Sequence, residues 1–143
     1  MRMTPRRNLT LILLEGVSFF AVSHAFAGGI AVDRGNGATM SRSTAGVDVL
    51  NIAAPTAAGV SHNKFTDFNV GPNGLIVNNM SLAAGVQSEA NLGGTVTFNP
   101  NIGRGAAARV ILNEVRGTSP SLLRGYTEIF GQKAAYILSN PNG

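Results

Sequence analysis

After residue 27, His62 is the only imidazole in the chain, and Asp67 follows it five residues later in a segment that also contains serine. A Ser-His-Asp relay would have to be built from these groups, because nucleophilic catalysis needs a base oriented by a carboxylate and aimed at a hydroxyl. Nothing like a nucleophile elbow surrounds them, and the polar run Ser61-His62-Asn63 reads more simply as a surface or turn segment. Metal ligation meets the same shortage. There is no cysteine and no second histidine beyond residue 27, and the acids are scattered singly from Asp33 to Glu128. Gly35-Asn36-Gly37 and Gly103-Arg104-Gly105 lack the Lys-Ser/Thr or helix start that a phosphate cradle needs. Arg109 and Glu114 flank an apolar run, where a surface ion pair would contribute at most about 1 kcal/mol. No catalytic group, cofactor or metal is expected.

The residue types that do recur in a pattern belong to turns. Asn99-Pro100-Asn101-Ile102 follows the apolar run ending at Phe98, and Asn140-Pro141-Asn142-Gly143 follows Ile137-Leu138-Ser139. Proline fixes φ and removes a donor, and it pushes the residue before it out of the helical region. Asparagine closes a local turn through its own side chain. Each copy is therefore expected to end a strand.

Residues 1–27 have the pattern of an export signal. Arg2, Arg6 and Arg7 precede an apolar stretch from Leu9 to Val22, and Ala25-Phe26-Ala27 offers a small-x-small cleavage site before Gly28. The apolar run is shorter than the roughly 20 residues needed to span a bilayer, and Glu15 interrupts it. Three of the eleven basic residues and one of the seven acids lie in this segment, leaving eight and six in residues 28–143. That balance has no basic run interleaved with aromatics, so neither nucleic acid nor an anionic membrane surface is an expected partner. Without cysteine, an exported domain of this size must be held by packing and backbone hydrogen bonds rather than disulfides.

Elements able to position the turns are short and β-prone. Glycine interrupts every stretch long enough for a three-turn helical stripe, and apolar runs of four to six residues alternate with Gly and Asn. Strands are expected at 46–52, 65–70, 75–78, 95–98, 109–115, 127–130 and 135–138, with no helix. Asn78, Asn99, Asn113 and Asn140 each end an apolar run, at separations of 21, 14 and 27 residues. In a parallel β-helix, equivalent corner side chains stack from coil to coil, so repeated strand-terminal asparagine fits such a solenoid interrupted by loops or hairpins. A β-sandwich accommodates the same strand density.

The run from Gly59 to Val70, with Gly74-Leu75-Ile76-Val77-Asn78-Asn79 after it, resembles the opening of the secretion domain of filamentous haemagglutinin-like and contact-dependent inhibition exoproteins. Asn99-Pro100-Asn101-Ile102 matches that family's Asn-Pro-Asn-Leu element with isoleucine for leucine. The stretches 107–115, 119–125 and 128–134 continue in the same order, and Asn140-Pro141-Asn142-Gly143 matches the first four residues of its Asn-Pro-Asn-Gly-Ile element. The resemblance covers about residues 45–143.

It implies an all-β fold, a right-handed parallel β-helix with N-terminal cap strands and hairpin extensions, cut at its C-terminal end. Residues 28–143 would be the N-terminal part of a two-partner secretion domain, and a β-helix left open there would be marginally stable alone. The implied role is non-enzymatic: a recognition and folding-nucleation module for a large adhesin, haemolysin or toxin. Its partners would be the Sec machinery, then an outer-membrane β-barrel transporter with periplasmic POTRA domains. A passenger beyond Gly143 would meet a receptor on a host or bacterial surface, so the product is secreted or displayed on the cell surface. Asn99, Pro100, Asn101, Ile102, Asn140, Pro141, Asn142 and Gly143 would form the secretion motif, although turn chemistry alone also explains their types. An exported β-helical carbohydrate-active or glycan-binding protein is the alternative. The first processing step has a direct check: Edman sequencing of the exported chain is expected to begin at Gly28, and a start at Met1 would contradict a cleaved signal.

Overall fold

The computed structural model describes residues 29–143, so the expected cleavage site between Ala27 and Gly28 lies outside the described residues. Ten strands and one 3-10 turn form a β-helix, its coils stacked through two four-stranded sheets. In chain order the strands are β1 (Ile30–Val32), β2 (Thr39–Arg42), β3 (Asp48–Asn51), β4 (Val60–Phe68), β5 (Leu75–Asn79), β6 (Gln87–Glu89), β7 (Thr95–Thr97), β8 (Val110–Val115), β9 (Thr127–Gly131) and β10 (Ala135–Ser139). One sheet has the order β1-β4-β8-β10 and the other β2-β3-β5-β9.

Within each sheet the last three strands are parallel, and the first, β1 or β2, adds antiparallel to the N-terminal side as a cap. A short parallel bridge between Val70 and Leu123 marks a third side of the coil. All seven expected strands are present. β4 begins at Val60, earlier than expected, because its polar half alternates buried Ser61 and Asn63 with exposed His62. The cap strand β2 and the hairpin strand β6 lack apolar runs and are exposed throughout, while β1 is apolar over only three residues, Ile30-Ala31-Val32, shorter than the runs of four to six that mark the other strands.

The coils are unequal in length. Equivalent positions lie 27 residues apart from β3 to β5 (Asp48, Leu75) and 25 apart from β8 to β10 (Val110, Ala135). They lie 52 apart from β5 to β9 (Leu75, Thr127) and 50 apart from β4 to β8 (Val60, Val110). The second coil therefore carries about one coil length of extra chain, which holds the 3-10 turn Leu82–Ala84, the β6-β7 hairpin and the first Asn-Pro-Asn turn.

Between the two sheets lies an apolar interior of Leu50, Leu75 and Val77 facing Phe65, Ile111 and Val115, with Phe65 and Phe68 edge to face at 5.0 Å. A second cluster sits outside the β-helix wall. Val49, Ile76 and Phe130 point outward from β3, β5 and β9, and the inserted hairpin covers them with Val96, Ala90 and Leu92. Glu128 holds the tip of that hairpin by accepting from the Asn91 and Leu92 amides, both at 2.9 Å. The chain packs closely where it turns: a Cβ on Gly125 would stand 2.1 Å from the Gly71 carbonyl oxygen, so only glycine fits between those coils.

Asn113 is the exception to the polar order of the interior. It is fully buried opposite Asn63 on β4 and Leu138 on β10, and neither atom of its amide has a hydrogen-bond partner. The Tyr136 hydroxyl on β10 faces it without reaching hydrogen-bond geometry. Burial pushes that phenol up to about 12, and Asn113 lowers it only in part. An unsatisfied buried amide costs about 1–3 kcal/mol, and leucine has nearly the same shape as asparagine. Asn113→Leu is therefore expected to stabilise the chain by about 1 kcal/mol in urea unfolding; Asn63→Leu, which removes the acceptor of the buried Ala53 amide, is expected to destabilise it.

Candidate functional site

The two Asn-Pro-Asn turns share one geometry. In the first, Asn99 Oδ1 accepts the Asn101 amide at 2.8 Å, and in the second, Asn140 Oδ1 accepts the Asn142 amide at 2.9 Å. Each is thus an Asx turn, with the side chain imitating the backbone of a β-turn and proline setting φ at the next position. Each leading asparagine also reaches back across the solenoid. Asn99 Nδ2 donates to the carbonyls of Ile52 and Asn78, both at 2.9 Å, while Asn140 Nδ2 donates to the Ser119 carbonyl at 3.0 Å and to Ser121 Oγ at 2.9 Å.

The second asparagine of each copy repeats the move. Asn101 Nδ2 donates to the Asn51 and Ile52 carbonyls at 3.2 Å, and Asn142 Nδ2 donates to the Gly117 carbonyl at 2.8 Å. The first turn is thereby fastened to the end of β3, and the second to the segment after β8. Backbone bonds complete both, with the Ile102 and Gly103 amides donating to the Asn99 carbonyl and the Ser121 amide to the Gly143 carbonyl.

Burial separates the copies. Asn99 is fully buried and Ile102 inserts into the interior beside Phe65 and Leu50, so the position asks for an apolar side chain that either leucine or isoleucine can supply. Pro100 is exposed, as are Pro141, Asn142 and Gly143, while Asn140 is half-buried.

The other asparagines expected to share one stacking role divide among different ones. Asn78 stacks on Asn51 and donates to its Oδ1 at 2.9 Å, but on the outward face of β5, under the hairpin, where it also donates to the Thr97 carbonyl. Asn113 stacks on Asn63 in the interior without a bond. Asn79, unremarked beside Asn78, crosses the solenoid: its Nδ2 donates to the Ala108 and Gln132 carbonyls and its Oδ1 accepts the Ala108 amide at 2.8 Å. The signal that could have found it is the Asn-Asn pair itself, since alternate side chains of a strand face opposite sides and each must meet a polar partner.

His62 and Asp67 are not brought together with a hydroxyl. His62 Nε2 lies 2.7 Å from Glu114 Oε2 on β8. Glu114 is thus not paired with Arg109, whose Nη2 donates to the Ala58 carbonyl at 2.8 Å.

Strands, cap and asparagine-closed corners together define a capped β-helical domain with an extrahelical hairpin. A match of residues 29–143 to the TPS secretion domain model then places the chain in a particular family, and it belongs to the TPS secretion domains, the export domains of two-partner secretion exoproteins. The tRNA nuclease CdiA of Escherichia coli O6:K15:H31 (strain 536 / UPEC) is 48% identical over 115 residues, which are 80% of this chain and 4% of that protein. The hemolysin of Serratia marcescens is 47% identical over 114 residues, 80% of this chain and 7% of its own length. The crystal structure of the filamentous hemagglutinin secretion domain superposes with a TM-score of 0.69 at 39% identity, covering 80% of this chain and 36% of that one. The chain thus spans only a small part of the curated relatives it matches.

Differences between the two turns give a stability test. Asn99→Ala removes the buried donor to the Ile52 and Asn78 carbonyls, of which Ile52 keeps only the Asn101 side chain, and leaves the Asn101 amide without its acceptor, a loss of about 2–4 kcal/mol. Asn140→Ala opens a turn that water reaches and is expected to cost about 1 kcal/mol. Urea unfolding of both variants compares them; equal losses would contradict the contrast.

Proposed function

We propose that this domain is the address and folding seed of a longer exported protein. It is recognised in the periplasm by the POTRA domains of an outer-membrane β-barrel transporter, and it has no catalytic activity of its own. The observation that carries the reading is the pair of Asx turns, each fastened by its own asparagines to a neighbouring coil, in a chain matched to TPS secretion domains over residues 29–143. Export by this route has three stages: Sec delivers the chain to the periplasm, the transporter selects it, and the domain folds first outside the cell. Any nuclease or haemolytic activity belongs to the parts of the named relatives that this chain does not span.

Recognition and folding draw on the same chain in sequence. An extended segment can add to a partner's sheet through its own backbone, with alternate side chains giving specificity. Once outside, the same strands pair with one another, and each corner asparagine locks a turn onto a coil already formed. The seed then presents the parallel edges of β9 and β10 for further coils, so folding can propagate by nearest-neighbour stacking. A passenger carried in this way would act on a host or bacterial surface receptor.

Co-expression with the cognate transporter, scored as the fraction of chain in the medium, tests the reading. Asn99→Ala and Asn142→Ala are each expected to lower export, and the drop should be larger for Asn99→Ala because it loses more stability, each one or two kcal/mol changing the folded/unfolded ratio about 5- to 30-fold. Wild-type export of both variants, or export of the unmodified chain without any transporter, would sink it.

A further inference from the structure

A polar recess of about 690 Å³ opens on the outer face of β4 and β8, away from both Asn-Pro-Asn turns. Its lining brings Arg34, Lys64 and Arg116 together from three separate elements: the loop after β1, the middle of β4 and the end of β8. Asp33 is the carboxylate among the lining residues, and it is already engaged, accepting from Thr66 Oγ1 at 2.8 Å and lying 3.7 Å from Arg116 Nη1. Glu114, beside the recess on β8, is held by His62 at 2.7 Å. Among the described residues, neither Arg34 nor Lys64 has an ion-pair partner, so three cations face Asp33, with Glu114 opposite Lys64 in the ladder and turned to His62.

The recess is held in shape by the backbone. Asn36 pairs with β4 as a strand would: its Oδ1 accepts the Lys64 amide at 3.0 Å and its Nδ2 donates to the His62 carbonyl at 3.2 Å. The Asp33 amide donates to the Lys64 carbonyl and the Arg116 amide to the Phe65 carbonyl. Gly117 completes the floor, where a Cβ would stand 2.1 Å from the Thr66 carbonyl oxygen. These bonds fix the backbone of the loop that carries Arg34 and the backbones of Lys64 and Arg116, so the three side chains start from set positions around the recess.

From this geometry we infer a binding site for a phosphate group, independent of the secretion-recognition role. Three cations from separate elements around one recess suit a tetrahedral phosphate anion, and their charge exceeds that of Asp33 and Glu114 together by one. Guanidinium and ammonium donors to phosphate make charge-assisted hydrogen bonds roughly twice as strong as neutral ones. The phosphate can come from a soluble phosphomonoester or from a phosphorylated lipid headgroup.

The test uses the whole chain. Inorganic phosphate is titrated while the amide resonances of Lys64, Thr66 and Gly117 are followed by NMR, and pelleting with vesicles of phosphatidic acid is compared with pelleting by phosphatidylcholine. Saturable shifts at those amides are expected, weakened about tenfold or more in Lys64→Gln and in Arg34→Gln and unchanged in Lys133→Gln. Since neither Lys64 nor Arg34 carries an ion pair, both variants should keep the thermal midpoint of the parent. Pelleting with phosphatidic acid that Lys64→Gln abolishes would assign the lipid source, and phosphate binding without pelleting would assign the soluble one. Absence of saturable shifts, or equal phosphate affinity in the parent and the Lys64→Gln and Arg34→Gln variants, would overturn the site.

Discussion

A solenoid built from short strands must turn its backbone many times next to a dry interior, and every peptide group at a corner still needs a partner. Water cannot reach those groups and the sheets have already ended, so side chains must supply the missing donors and acceptors. Asparagine suits this task because its amide has the shape and polarity of a peptide group, with two donors on one side and an acceptor on the other. Asn79 uses both, joining Ala108 and Gln132 across the coil. Asn63 caps the buried Ala53 amide, and Asn99 ties Ile52 to Asn78. The order of the coils rests on these bonds as much as on the apolar interior.

The apolar strands were legible because each presents a short run bounded by Gly, Pro or Asn, and burial on a parallel sheet favours such runs. β5 is buried at all five positions, since one face meets the β-helix interior and the other the hairpin. The cap strands were not legible. β2 binds β3 through its backbone and exposes every side chain, so no apolar pattern records it. The N-terminal half of β4 was missed for the opposite reason: its buried residues Ser61 and Asn63 are polar and satisfied by Ala53 and by each other.

Asparagine content was legible, while the division of labour among the asparagines was not. A strand-terminal Asn reads the same in sequence whether it closes a turn, as Asn99 does, stacks beneath a hairpin, as Asn78 does, or lies unpaired in the interior, as Asn113 does. The deciding fact is where the inserted chain lies, and that depends on Glu128 of a later coil holding the hairpin tip. The polar recess was equally hidden, because Arg34, Lys64 and Arg116 are neighbours only once β1 and β8 flank β4.

Local hydrogen exchange reaches the central claim most directly. If asparagine side chains close the corners, the amides of Ala53 and Ala108, which lie outside every strand but are bonded to Asn63 and Asn79, should exchange only when the whole domain unfolds. Their protection should then equal that of the β4 and β8 core amides and fall together with it in denaturant. Exchange of Ala53 and Ala108 at the rate of open turns, with the strand amides still protected, would show that packing alone holds the coils and would contradict the account.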